Sequence, residues 1–241
     1  MSADRSDRSG GLSRRRRRLD RDRIVEAALA SIEADGVEQM TMRSLGRDLG
    51  VEGMALYRYV SGREDLLEAA VASLLHGLLE RVEAAETTSW QQYLQHVAHE
   101  VRRIAITNPV AFPLVISRHP ATPWLRPPLR DIDVVEHLLA TLTARGFTQE
   151  QAVETYKAFT SFLVGSLLLE VSTRRAEHIG AVEHPINEGG AQVPEQDSPH
   201  GLTHAPHVER MREQLSEDHS AKEFEIGLES LLNRIESSVS R

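Results

Sequence analysis

The sequence predicts an all-α fold in two parts, a small N-terminal three-helix unit joined to a larger helical domain. Three observations lead there. From Asp20 onward apolar residues recur at helical spacing, with no strand-like alternation and no internal repeat. Capping pairs and glycine stops divide that pattern into segments of helix length. Charge is also uneven, since residues 1–66 hold 13 Lys/Arg against 12 Asp/Glu while the remainder holds 15 against 24. The balance is therefore +1 in the first part and −9 in the second, and a chain of 241 residues has room for a small domain and a larger one.

Residues 1–19 are rich in Ser, Gly, Arg and Asp and lack apolar periodicity, which predicts a basic, disordered tail; seven arginines precede Leu19. A first helix follows, with Ile24, Ala27, Ala28, Leu29 and Ile32 as its stripe and Gly36 as its stop. Thr41 then caps a short helix that turns Met42, Leu45 and Leu49 inward and ends at Gly50. A second short helix, about Glu52 to Tyr59, is held by Val51, Ala55 and Leu56. Ser61 and Glu64 form a capping-box pattern that opens a long helix carrying Leu66, Leu67, Ala70, Val71, Leu74, Leu75 and Leu78, the connection between the two parts.

Beyond it, Ser89 with Gln92 and Thr148 with Gln151 mark further starts, the second one after Gly146. Six prolines between Pro109 and Pro128 break the middle into short pieces. A helix from Asp131 to Arg145 follows, then strongly apolar segments at 149–173 and 221–236. Between the last two, the stretch at about 180–207 is rich in Pro, Gly, Gln and His and predicts a flexible loop. The domains expected are the tail at 1–19, the three-helix unit at 20–67 and the larger domain at 68–241.

Composition narrows the chemistry. The chain has no Cys, which removes disulfides, thiol nucleophiles and thiolate zinc sites. No stretch reaches the roughly 18 apolar residues of a membrane span and the first 35 residues lack an export signal, so a cytoplasmic protein is expected. His96 and His99 stand at i, i+3 without a third ligand at a known spacing. The histidines His184, His200, His204 and His207 fall in the loop-like stretch, so neither group predicts a metal site. With no strand to carry a phosphate loop and no Ser/His/Asp order or Glu pair, neither a cofactor nor catalysis is expected.

Two short helices around a glycine turn, packed on a preceding helix, form a helix-turn-helix, which delivers its second helix into the major groove of DNA. Exposed residues of that helix would be Glu52, Gly53, Met54, Tyr57 and Arg58. Gly53 would let the backbone approach a base edge or a phosphate. Arg43 has the fork to bind guanine, and Arg63 stands where a phosphate could be held. The stretches Thr41-Met42-Arg43-Ser44-Leu45-Gly46-Arg47-Asp48-Leu49-Gly50-Val51, Ala55-Leu56-Tyr57-Arg58-Tyr59-Val60 and Arg63-Glu64-Asp65-Leu66-Leu67 closely resemble the N-terminal domain of the TetR (tetracycline repressor) family, over about residues 20–70. The resemblance implies that Arg43, Gly53, Met54 and Ala55 face bases and that Thr41, Tyr57, Tyr59 and Arg63 anchor the DNA backbone. Gly53 and Met54 depart from the polar or Pro residues frequent at those positions, which shifts base discrimination toward Arg43, Arg58 and DNA shape.

Looser matches at Ser89-Trp90-Gln91-Gln92-Tyr93-Leu94, Gly146-Phe147-Thr148 and Phe224-Glu225-Ile226-Gly227-Leu228-Glu229 are similar to the tetracycline repressor subclass. They imply a homodimer built from 149–173 and 221–236 and an effector cavity among the middle helices. The side chains expected to line that cavity are Leu75, Leu79, Val97, Val101, Ile104, Phe112, Val115, Ile116, Trp124, Leu138, Phe159 and Phe162, which suit a small, largely apolar effector. The polar residues that hold a magnesium–tetracycline chelate have no clear counterpart, so tetracycline is not the expected effector. The function expected is a repressor that binds palindromic operator DNA and is released by the effector. The alternative is an all-α small-molecule-binding protein without DNA recognition, which the acidic total charge of −8 favours.

Overall fold

The computed structural model describes residues 19–117, 125–129, 131–179 and 205–239, with side chains not described for 175–179. Among the described residues every regular element is a helix: α1 (Arg21–Asp35), α2 (Met42–Leu49), α3 (Gly53–Leu56), α4 (Arg63–Leu75), α5 (Leu78–Glu83), α6 (Trp90–Thr107), α7 (Pro113–Ser117), α8 (Ile132–Ala144), α9 (Gln149–Ile179), α10 (Pro206–Ser216) and α11 (Ser220–Val239). Helices α1 to α3 and the start of α4 form a small head. Helices α5, α6, α8, α9 and α11 form the body, with α4 and α7 between the two.

Local chemistry sets most of the boundaries. The Asp20 carboxylate accepts the Arg23 N–H at 2.9 Å to open α1, and Gly36, at φ 86°, closes it by donating to Ile32 O. Helix α9 starts on a reciprocal box, in which the Gln151 N–H donates to Thr148 Oγ1 at 3.2 Å and the Thr148 N–H to Gln151 Oε1 at 2.9 Å. At Ser89 only half of the expected box forms. Ser89 Oγ accepts the Gln92 N–H, whereas the Gln92 side chain turns to Thr88.

Three expectations are corrected. The third helix covers only Gly53–Leu56, because its end tightens into turns that donate from Arg58 to Ala55 O and from Tyr59 to Leu56 O. The Ser61 box does not form; Asp65 reaches back instead and accepts the Ser61 N–H at 2.8 Å. The long connecting helix is broken after Leu75, where Gly77 takes a left-handed φ of 71° and Leu78 restarts the chain as α5. Pro206 at the first turn opens α10 at the end of the expected loop; residues 180–204, with His184, His200 and His204, lie outside the described residues, as do the tail at 1–18 and Trp124.

One apolar core runs from head to body. Ile24, Ile32, Leu45, Leu56 and Leu66 are fully buried in the head, and Leu94, Val101, Phe112, Leu138, Phe159, Leu163 and Leu167 in the body. Each large side chain of this kind contributes about 1.5–3 kcal/mol by leaving water. Body helices α9 and α11 cross where Gly227 meets the ring of Phe162, which lies 5.5 Å from the Phe224 ring. Below that crossing the buried Glu170 carboxylate takes both Nε (2.9 Å) and Nη2 (2.7 Å) of Arg102 from α6, and Arg102 in turn lies over the Phe224 ring.

Candidate nucleic-acid interface

The head is organised around one close backbone crossing. Gly46 in the middle of α2 faces the start of α3, and a Cβ placed on it would lie 2.8 Å from Gly53 N and 2.9 Å from Gly53 Cα and Val51 O. Those are backbone atoms and cannot swing away, so the crossing requires glycine. Gly53 answers from the other side, where a Cβ would stand 3.0 Å from Met42 O and 3.4 Å from Arg43 Cα. The absence of a side chain at Gly53 therefore serves the packing of α3 on α2. Gly50 makes the turn between them at φ 70°, donating to Arg47 O and Gly46 O.

Polar side chains hold this pair in place from both flanks. Thr41 Oγ1 accepts the Ser44 N–H and Ser44 Oγ accepts the Thr41 N–H, each at 3.0 Å, a closed box on the start of α2. The Arg63 guanidinium, from α4, donates to Val37 O at 2.7 Å and to Met40 O at 3.1 Å. That fixes the chain entering α2 and turns Arg63 inward, so the residue expected to hold a phosphate is largely occupied within the head. On the other flank Arg21 donates to Tyr59 O at 3.2 Å and pairs with Asp65 at 2.9 Å. The Arg21 guanidinium and the Ser61 N–H hold the Asp65 carboxyl below its usual range.

What remains outside is a compact exposed face. Met54 is 78 % exposed and Tyr57 48 %, and Arg43, Arg58, Glu52 and Thr41 are also exposed. Ala55 and Tyr59 are half-buried between this face and the core formed by Leu56 and Val60. Arg47 is held 3.3 Å from Asp48, while Arg43 and Arg58 have no ion-pair partner among the described residues. A four-residue helix that anchors Leu56 in the core and turns Met54 outward, flanked by two open guanidiniums, has the width and donors to enter a groove about 12 Å across.

The residues expected around an effector divide differently. Val101, Ile104, Phe112 and Phe159 are buried in the body core, and Leu79 and Ile116 are half-buried against it. Phe162 is not with them, because its ring is committed to the α9–α11 crossing at Gly227 and Phe224. Four surface grooves of about 440–570 Å³ are bounded by described residues, and each is lined by other side chains. One of them, about 440 Å³, runs between α9 and α11 along Thr155, Ala158, Leu231 and Ile235. His96 meets Arg81 O and His99 meets Glu225, and among the described residues no group of three His, Cys, Asp or Glu could hold a metal. Among the described residues no helix is long and apolar enough to cross a membrane.

Comparison with known proteins decides what this architecture is. Residues 24–70 match the family model for bacterial regulatory proteins of the tetR family, and residues 83–239 match that of the tetracyclin repressor-like C-terminal domain. The chain belongs to the TetR family. It is 28 % identical over 222 residues to the class D tetracycline repressor protein of Escherichia coli, covering 91 % of this chain and 90 % of that one. It is 26 % identical over 185 residues to an HTH-type transcriptional repressor of Mycobacterium tuberculosis, covering 75 % of this chain and 70 % of its relative. A possible TetR family transcriptional regulator from Streptomyces coelicolor superposes with a TM-score of 0.70 at 23 % identity, over 91 % of this chain and all of the other. The protein is accordingly a TetR-family transcriptional regulator with an N-terminal DNA-binding domain and a ligand-binding helical body. The DNA-blind alternative is not favoured.

Sequence reasoning missed three residues that build this interface. Gly46 carried a signal, because a glycine inside a helix costs about 1 kcal/mol relative to Ala and needs a packing reason. Ser44 could have been found as the second half of a box with Thr41. Arg21 gave no sign, since its partners Tyr59 and Asp65 lie 38 and 44 positions away.

Proposed function

We propose that this TetR-family regulator is a cytoplasmic homodimeric repressor that binds a palindromic operator through the α2–α3 face and releases it when a small, largely apolar effector enters the body. The observation that carries this reading is the exposed face of α3, with Met54 and Tyr57 projecting from it and the open guanidiniums of Arg43 and Arg58 beside it. In this reading Arg43 and Arg58 meet base edges, Met54 and Ala55 contact base surfaces, and Thr41, Tyr57 and Tyr59 bear on the sugar–phosphate backbone. Arg63 and Gly53 act indirectly by fixing α2 and α3. The division between DNA-reading and effector-binding parts at about residue 67 falls within α4, which both parts share.

The twofold partner joins through α9 and α11. These helices leave Val153, Leu169 and Ile226 exposed in the single chain, Leu169 by 73 %, and a groove runs between them at Thr155 and Ile235. The effector occupies the region of Leu79, Val101, Ile104, Phe112, Ile116, Trp124 and Phe159 and favours a dimer whose heads are wrongly spaced for two half-sites.

The test is a mobility-shift titration of the full chain on duplex fragments flanking its own gene. Specific binding with a steep loss of affinity as salt rises is expected, from release of phosphate counterions. Weak affinity that ignores both sequence and salt, alongside tight binding of apolar compounds, contradicts it.

A further inference from the structure

A charged side chain of helix α1 reaches from the head to the turn between α6 and α7. Glu33, one turn before the Gly36 stop, is half-buried, and its two carboxylate oxygens accept two consecutive backbone N–H groups of the α6–α7 turn. The Ala111 N–H donates to Oε1 at 2.7 Å and the Val110 N–H to Oε2 at 3.2 Å.

The turn is built so that these donors have no other use. Asn108 ends α6 by donating to Ile104 O, and its own carbonyl takes the Phe112 N–H at 2.8 Å. Pro109 has no N–H to give. Val110 and Ala111 are buried, so without Glu33 their N–H groups would lose the acceptors that the fold provides. Immediately after them come Phe112 and Val115, both fully buried in the body core.

We propose that Glu33 is a positioning residue that makes the head follow the α6–α7 turn, so that a displacement of Phe112 by an occupant of the body is passed to α1 through the carboxylate. This rests on the effector-released reading above and names the atoms that would carry it. Apolar packing also joins α4 to α7, where Leu67 and Leu114 share a groove, yet such packing tolerates sliding. A doubly accepting carboxylate does not, because both short bonds fix direction as well as distance. Glutamine at this position keeps the shape but replaces one acceptor oxygen with an NH2 that faces a donor, and alanine removes both acceptors.

The experiment uses the full chain and its Glu33→Gln and Glu33→Ala variants, with two readouts. Hydrogen exchange is followed in peptides covering 108–113; both variants are expected to exchange there about tenfold faster, the effect of losing about one net hydrogen bond, with peptides of α9 and α11 unchanged. Affinity is then measured for a single half-site duplex and for two-half-site duplexes of different spacing. Wild-type affinity for the half-site, together with a loss of about tenfold in preference for the correct spacing, is expected. Unchanged exchange at 108–113 overturns the clamp, and unchanged spacing preference overturns its role in positioning. If Glu33→Ala loosens the whole chain, the isosteric Glu33→Gln decides. A wild-type chain that binds no duplex defeats the functional reading and the transmission with it, while the exchange arm still decides whether Glu33 holds the turn.

Discussion

The head and the body of this molecule are held together by different means. In the head, the helices are fixed by backbone-level devices: a crossing that admits no Cβ at Gly46, a reciprocal cap at Thr41 and Ser44, and two arginines, Arg21 and Arg63, that tie loops by their carbonyls. In the body, long helices are fixed mainly by apolar volume, with Phe112, Phe159 and Leu167 fully buried and one buried charge cluster at Glu170. A face that must match DNA to within a fraction of an ångström is built from directional contacts. A core that must admit a ligand is built from contacts that can shift.

That contrast can be broken or sharpened by experiment. The largest effect is expected in the body: Phe159→Ala should cost about 3–5 kcal/mol in denaturant titration by leaving a cavity in the core. Affinity of the remaining folded protein for a half-site duplex should be unchanged, since the head does not depend on that ring. Gly46→Ala should cost about 1–3 kcal/mol, because α3 must move off α2 to admit the methyl group. Its signature is the reverse of the body variant, a disproportionate loss of DNA affinity from a single carbon. An alanine at Gly46 that binds DNA normally would show that the crossing does not position α3.

Arg43→Ala should weaken specific binding by about 1–3 kcal/mol while leaving thermal stability in place, because the side chain is exposed and has no ion-pair partner among the described residues. The smallest effect concerns acid. Asp65 titrates below the usual carboxylate value of 3.8 in the folded head, so its pairing with Arg21 stabilises fully above pH 3.8 and is lost as pH falls through the folded value. Both side chains are substantially exposed, so the difference between wild type and Asp65→Asn should be well under about 1 kcal/mol near neutral pH and vanish in strong acid. A difference that grows in acid would contradict the assignment.

How much of this was legible in the sequence follows the same division. The helix order, the α2–turn–α3 unit, the Thr148 box and the Asp131–Arg145 helix were readable because caps, glycines and apolar stripes are local signals. The break at Gly77 was not, since the apolar stripe runs on from Leu75 to Leu78 and only the backbone turns aside. The carbonyls of Val37 and Met40 that Arg63 reaches were not legible either, because they lie 26 and 23 positions away in sequence. Among the expected effector-lining residues, Phe162 looks the same as Phe159 in a helical pattern. Which of two phenylalanines packs on Gly227, 65 positions on, is decided by a helix crossing that no local pattern encodes.

The central claim is that α3 is a recognition helix, presented to the same DNA twice by a twofold pair of chains. The most direct measurement is selection of bound duplexes from a random pool by the full-length protein, followed by sequencing. The account predicts an enriched inverted repeat whose half-site centres lie one helical turn of about 10 bp, or a multiple of it, apart, and whose enrichment is lost in Arg43→Ala. A pool that stays random, or that converges on a single site without twofold symmetry, would contradict it.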